Sequence, residues 1–127
     1  MGRMQRQKGK RGERECAAEL NELLGSSVNA RRGVQYQGGP DSPDVVLDGV
    51  PIHVECKRTE SLSIYTAMEQ AKADAKEGST PIVWHRRNGK PSLVIVETAK
   101  LVELSLAIAD TVRNSTKCDP QQESRGI

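Results

Sequence analysis

The chain has no phenylalanine, and only Tyr36, Tyr65 and Trp84 supply aromatic rings among its 127 residues. Proteins that bind single strands stack bases on such rings, so their scarcity argues against that mode. Any nucleic acid would be held by its phosphates and its shape. No run of about 18 apolar residues exists, so no membrane span is expected. The basic N-terminus has no apolar segment behind it, and no secretory signal is expected. Cysteine is sparse and odd in number, with Cys16, Cys56 and Cys118 scattered along the chain. That usage fits a reducing, cytoplasmic compartment better than a disulfide framework. There is no Ser/His/Asp triad, Walker loop, dinucleotide fingerprint or internal repeat.

Charge is plentiful and unevenly placed. Lysine and arginine total 19 against 17 acids, a net +2. Residues 1–14 nevertheless carry Arg3, Arg6, Lys8, Lys10, Arg11 and Arg14 against one acid, Glu13. Such a run is either a solvated tail or an arm that binds a phosphate backbone by releasing counterions. The length suits one domain with a modest core.

Residues 1–11 read as a flexible basic arm, 12–110 as one domain and 111–127 as a polar, disordered tail. Cys16, Ala17, Leu20, Leu23 and Leu24 recur at helical steps, which predicts a helix from about Gly12 to Leu24, stopped by Gly25. A short strand is expected over 28–32 and a loop over 33–43. Val45–Leu47 and Ile52–Lys57 read as strands joined by the Asp48-Gly49 turn. A helix over 63–77 would bury Ile64, Ala67, Met68, Ala71 and Ala75, with Gly78 ending it. Strands Ile82–Arg86 and Leu93–Val96 flank an Asn88-Gly89 turn, and Thr98 is placed to cap a last helix reaching about Ala109. The order α-β-β-β-α-β-β-α predicts a mixed central β-sheet flanked by helices.

The chemistry concentrates in the second and third strands. Alternation sends Ile52, Val54 and Cys56 to the core and His53, Glu55 and Lys57 to the other side. The hairpin folds this strand back towards Asp44. Glu55-x-Lys57 alone describes any solvated strand face, but an aspartate across a short hairpin brings two carboxylates and an ammonium together. An oxygen-rich pair suits Mg²⁺, and the Cys56 carbonyl is a candidate further ligand. Lys57 could orient or deprotonate an attacking water and stabilise charge on a phosphate. Glu13 shares a helix face with Ala17, Leu20 and Leu24, so it is the inward carboxylate. Glu15 lines up with Glu19 and Glu22 as an outward, solvated stripe. His53 reads as solvated or structural, and Gln70 as an exposed residue on the second helix. Arg86, Arg87 and Lys90 cluster at a hairpin tip, where they either grip phosphates or keep an edge soluble.

The runs "KGKRGERE", "SPDVVL" and "HVECKR" resemble the PD-(D/E)xK nuclease superfamily. Within it, the likeness is greatest to archaeal-type Holliday junction resolvases and their phage-encoded relatives, and "EQAKADA" and "PIVWHRRNGKPSLV" extend it over about residues 8–105. The resemblance implies a restriction-endonuclease-like fold and a Mg²⁺-dependent DNA endonuclease, with Mn²⁺ a workable substitute. Glu13, Asp44 and Glu55 would hold metal and Lys57 would serve the attacking water. Arg14 would contact DNA near the scissile phosphate, and Arg31 or Arg32 would match a basic residue before the aspartate. Lys8, Lys10, Arg11, Arg86 and Arg87 complete the expected DNA-binding set. The implied partner is branched DNA, the implied assembly a homodimer, and the implied setting DNA recombination in the cytoplasm of a phage host. The alternatives are a nuclease of duplexes or DNA ends, and a non-catalytic DNA-binding or phage structural protein.

Overall fold

A computed structural model describes residues 2–33 and 44–117. Helix α1 spans Gly2–Leu24. A 3₁₀ turn, Ser26–Val28, leads to strand β1, Arg31–Arg32, followed by β2, Val45–Val46, and β3, Ile52–Arg58. Helix α2 is Ile64–Asp74, β4 is Thr80–Arg86 and β5 is Leu93–Ile95. A second 3₁₀ turn, Thr98–Lys100, feeds α3, Leu101–Lys117. The element order is the one the sequence predicts. The strands form one sheet in the order β1-β2-β3-β4-β5. β3 and β4 are parallel, joined by the α2 crossover, and every other neighbouring pair is antiparallel. This is an α/β fold of restriction-endonuclease type.

Two hydrophobic clusters give the sheet its layers. On one face Cys16, Ala17, Leu20 and Leu24 of α1 pack with Val45, Ile52, Val54, Ile82 and Trp84, and α3 adds Leu104 and Ala107. On the other, Ala67, Met68 and Ala71 of α2 cover Val83. Each large apolar side chain buried this fully contributes roughly 1.5–3 kcal/mol. Among the described residues no helix is long and apolar enough to cross a membrane.

Several element ends differ from expectation. Residues 2–11, expected as a flexible arm, are the first turns of α1. A run of basic side chains has no apolar periodicity to mark it, yet Arg, Lys and Gln are good helix formers. Gly25, at φ 97°, does end α1. Helix α2 stops at Asp74, before Gly78, and Ile64 is 48% exposed rather than buried. Thr98 opens a 3₁₀ turn instead of capping a helix, and α3 runs on to Lys117, past Ala109. The loop expected over 33–43 lies outside the described residues from 34 onward, as does the tail from 118.

Two devices hold α1 against the sheet. Asn21 donates to the Ala30 carbonyl (3.0 Å) and accepts from the Ala30 amide (2.7 Å), which fixes the entry into β1. Gly12 lies so close to β3 that a Cβ there would stand 2.7 Å from the Cβ of Arg58 and 3.5 Å from the Cys56 sulfur. Glycine is the residue that allows this approach, one position before Glu13.

Candidate active site

β3 divides its side chains as the alternation predicts, but its polar side is not solvated. His53 and Glu55 are 3% and 4% exposed. The His53 Nε2 lies 3.2 Å from the Glu55 Oε1, so the histidine partners a buried carboxylate. Further along, the Lys57 ammonium donates to the Gln70 Oε1 at 2.9 Å. Gln70 is exposed, as expected, yet it reaches from α2 to hold the lysine.

Asp44 enters at the start of β2. Its amide donates to the Val54 carbonyl (3.0 Å), and its own carbonyl accepts from Gly33 (2.9 Å). The Cys56 amide donates to its Oδ2 at 2.8 Å. The hairpin thus sets the Asp44 carboxylate beside the residue that separates Glu55 from Lys57. From α1, Glu13 accepts a hydrogen bond from the Arg32 Nε at 2.9 Å. Burial raises the Glu13 carboxyl above its ordinary range. Arg32 opposes this, while the negative charges of Asp44 and Glu55 add to it. Asp44 and Glu55 therefore both lie near enough to act on the Glu13 charge, with Lys57 two residues beyond Glu55 on the same strand face.

The donor set is all oxygen and suits a hard divalent cation. Each carboxylate is engaged by a group of the chain: Glu13 by Arg32, Asp44 by the Cys56 amide, Glu55 by His53. Among the described residues, no three acidic, histidine or cysteine side chains are gathered closely enough to hold a metal ion. A cation would have to compete with these hydrogen bonds.

Adjacent positions on β1 point to opposite sides. Arg32 consequently meets Glu13, whereas Arg31 pairs with Asp48 at 3.0 Å and donates to the Asn29 carbonyl. Lys10 and Arg14 are exposed on α1, and Arg87 is exposed beside the β4–β5 turn. Lys8 lies on α1, but its side chain is outside what the structure describes.

Glu15 departs from expectation. It is not solvated but accepts hydrogen bonds from Arg11, Arg58 and Arg86. Arg86 also donates to the Lys90 carbonyl, and Arg58 to the Asn88 side chain. Burial raises the Glu15 carboxyl, but the hydrogen bond and charge of Arg58, aided by Arg86 and Arg11, outweigh it and hold it below the usual carboxylate range. Glu19 accepts from the Trp84 indole (2.8 Å) and the Ser92 hydroxyl, which leaves Glu22 as the exposed member of the expected stripe. One signal for this was available. Arg58 and Arg86 end adjacent strands at paired positions, and like charges side by side on a sheet require a counter-charge. Cys16 lies against Cys56, whose hydrogen bond, with burial, pushes the Cys16 thiol far up. Both cysteines are free.

A family model described as "Phage putative PDDEXK endonuclease" matches residues 4–125, nearly the whole chain. No curated protein and no solved structure matched.

Proposed function

This chain belongs to that phage PDDEXK endonuclease family, and from that premise we propose that it is a Mg²⁺-dependent endodeoxyribonuclease that cuts branched DNA as a homodimer in the host cytoplasm. PD-(D/E)xK nucleases generally use divalent metals. The observation that carries the reading is the hairpin contact that sets the Asp44 carboxylate beside the Glu55-x-Lys57 strand, with Glu13 near enough to feel both carboxylates and the lysine held by Gln70.

Asp44 and Glu55 would hold the cation, with Glu13 and the Cys56 carbonyl as further donors. Mn²⁺ would substitute, because it accepts the same oxygen donors. When bound, the metal supplies positive charge that polarises the phosphodiester and acidifies water. The chain's own residues do the rest. Lys57 is anchored at its ammonium by Gln70, so it presents a fixed positive charge where charge develops on the phosphate. Water attacks phosphorus in line, the bond to O3′ breaks, and a 5′-phosphate and 3′-hydroxyl result. Arg32 balances the Glu13 charge at the edge of the site. Lys8, Lys10, Arg11, Arg14, Arg86 and Arg87 supply phosphate contacts, which set register on DNA without reading its sequence.

The likeness of "KGKRGERE", "SPDVVL" and "HVECKR" to Holliday junction resolvases supports a four-way junction as substrate. Cleavage of four-way junction, fork and linear duplex by the purified chain in Mg²⁺ tests this. Preferential, paired incision of the junction is expected. Equal cutting of all three would leave a duplex or end-directed nuclease, and metal-independent binding without cutting would leave a DNA-binding protein.

A further inference from the structure

Arg87 and Lys90 are exposed at the β4–β5 turn. Among the described residues neither side chain has an acidic or hydrogen-bonding partner. Their placement is nonetheless fixed. The Lys90 amide donates to the Arg87 carbonyl at 3.2 Å, which closes a four-residue turn and sets the two residues close together. Arg86 donates to the Lys90 carbonyl (3.1 Å) and Arg58 to the Asn88 side chain (2.8 Å). Glu15 holds both of those arginines, so its cluster braces the turn. Glu60 accepts from the Asn88 amide at 2.7 Å and is not in the pocket that the turn encloses. That pocket, of about 240 Å³, is lined by His85, Arg87, Lys90, Pro91 and Leu93. Sheet register puts it beside the candidate active site. His85 pairs with Lys57 on β3 and with Leu93 on β5. Paired residues share a face, so Lys57, His85 and Leu93 form the row next to Glu55, Val83 and Ile95. Neighbouring strands lie about 4.8 Å apart, so the pocket begins one strand's width from Lys57.

We propose that this pocket holds the nucleotide next to the scissile phosphate in the strand being cut, with Arg87 and Lys90 on its phosphate and Leu93, Pro91 and His85 against its deoxyribose. The inference rests on the DNA-cutting activity proposed above and names a subsite for it. The chemistry of the lining matches such a ligand. Two cations without partners suit one phosphodiester charge. Leu93, 58% exposed, and Pro91 give an apolar wall of the kind a sugar face can cover. His85 is 8% exposed, and its Nε2 lies 2.9 Å from the Thr59 carbonyl. A carbonyl only accepts, so Nε2 carries the hydrogen and the ring is held in place. Contacts to phosphate and sugar set register without reading sequence. A nucleotide seated here therefore fixes which phosphate of the strand stands before Lys57. Arg87 and Lys90 are positioning residues, acting one step away from the reacting atoms.

The test uses whichever of junction, fork and duplex the wild type cuts best in Mg²⁺. One phosphate at a time is replaced by a neutral methylphosphonate on either side of the mapped cut, and affinity is read in Ca²⁺. Wild type should lose about tenfold at one flanking position, the size of a hydrogen bond to a charged group. The Arg87→Ala/Lys90→Ala double variant should bind unmodified DNA about tenfold more weakly and lose nothing further at that position, as coupled partners do. Leu93→Ala should weaken binding yet keep the wild-type sensitivity, because it touches the sugar alone. Arg113→Ala, on an exposed arginine of α3, should behave as wild type. A double variant still sensitive at that position would overturn the inference and leave the nuclease reading standing. So would a wild type indifferent to every phosphate flanking the cut. A chain that cuts none of the three DNAs would remove that reading and this subsite with it.

Discussion

Replacing Glu15 with glutamine should unfold this protein more readily than replacing Glu13, although the two lie two residues apart in α1. Glu15 is 22% exposed and its partner Arg58 only 5%, so the change strands a buried guanidinium. Removing one member of a buried ion pair costs about 3–5 kcal/mol. Partial exposure, and the acceptor oxygen that glutamine retains, reduce this to about 2–3 kcal/mol. At roughly 3–5 °C per kcal/mol for a chain of this size, Tm should fall by roughly 6–15 °C. The pH dependence separates the two residues further. Glu15 has a folded-state pKa below its unfolded value. Its stabilisation is therefore complete above the ordinary carboxylate range and lost as pH falls through the folded value. The gap between wild type and Glu15→Gln should be widest at neutral pH and close in acid. Glu13 has the opposite sign, because its folded pKa is raised, chiefly by burial. Its favourable contribution exists only below the unfolded value and is lost as pH rises through the folded one. At neutral pH its charge costs stability, so Glu13→Gln should melt at or slightly above the wild-type temperature. Thermal melts of the three proteins by circular dichroism, at neutral pH and near about pH 4, check this. A Glu15→Gln Tm within about 2 °C of wild type at neutral pH, or a larger loss for Glu13→Gln, would refute the reasoning.

Two further changes probe the same frame. Gly12→Ala would gain up to about 1 kcal/mol of helix propensity, but its Cβ would meet the Arg58 Cβ at 2.7 Å. The overpacking, about 1–3 kcal/mol, should win and lower the denaturation midpoint in urea. Gln70→Ala should release the Lys57 ammonium and reduce kcat on the order of tenfold to a hundredfold. The Kd for DNA, measured in Ca²⁺, should stay unchanged. A weakened Kd with unchanged kcat would instead make Gln70 a DNA contact.

The fold was largely legible because its elements carry their own periodicity. Apolar steps of three and four marked the core face of α1, and the alternation in Ile52–Lys57 assigned each β3 residue to its side. The Asp48-Gly49 turn brought Asp44 to that strand, as the Asp44 contact with the Cys56 amide bears out. What escaped reading depended on tertiary partners. Glu15 follows the same outward phase as the exposed Glu22; Arg11 stands one turn before it on α1, and only the arrangement of the strands beyond brings Arg58 and Arg86 to it. The burial of His53 and Glu55 was likewise invisible, because a strand's period distinguishes two faces but not which of them is covered. Arg31 and Arg32 could not be told apart in a string. One step of strand alternation gives Arg32 to Glu13 and Arg31 to Asp48. The first turns of α1 were missed because a helix without an apolar face leaves no pattern.

The central claim is that Asp44 belongs to a metal-dependent hydrolytic site. Incision of a labelled four-way junction by wild type and by Asp44→Asn, in Mg²⁺ and in EDTA, tests it most directly. Wild type should cut in Mg²⁺ and stop in EDTA. Asp44→Asn should lose more than about a hundredfold in rate, beyond the loss typical of residues that only support a ligand, and should still bind the junction. Undiminished cutting by Asp44→Asn, or wild-type cutting that persists in EDTA, would contradict the account.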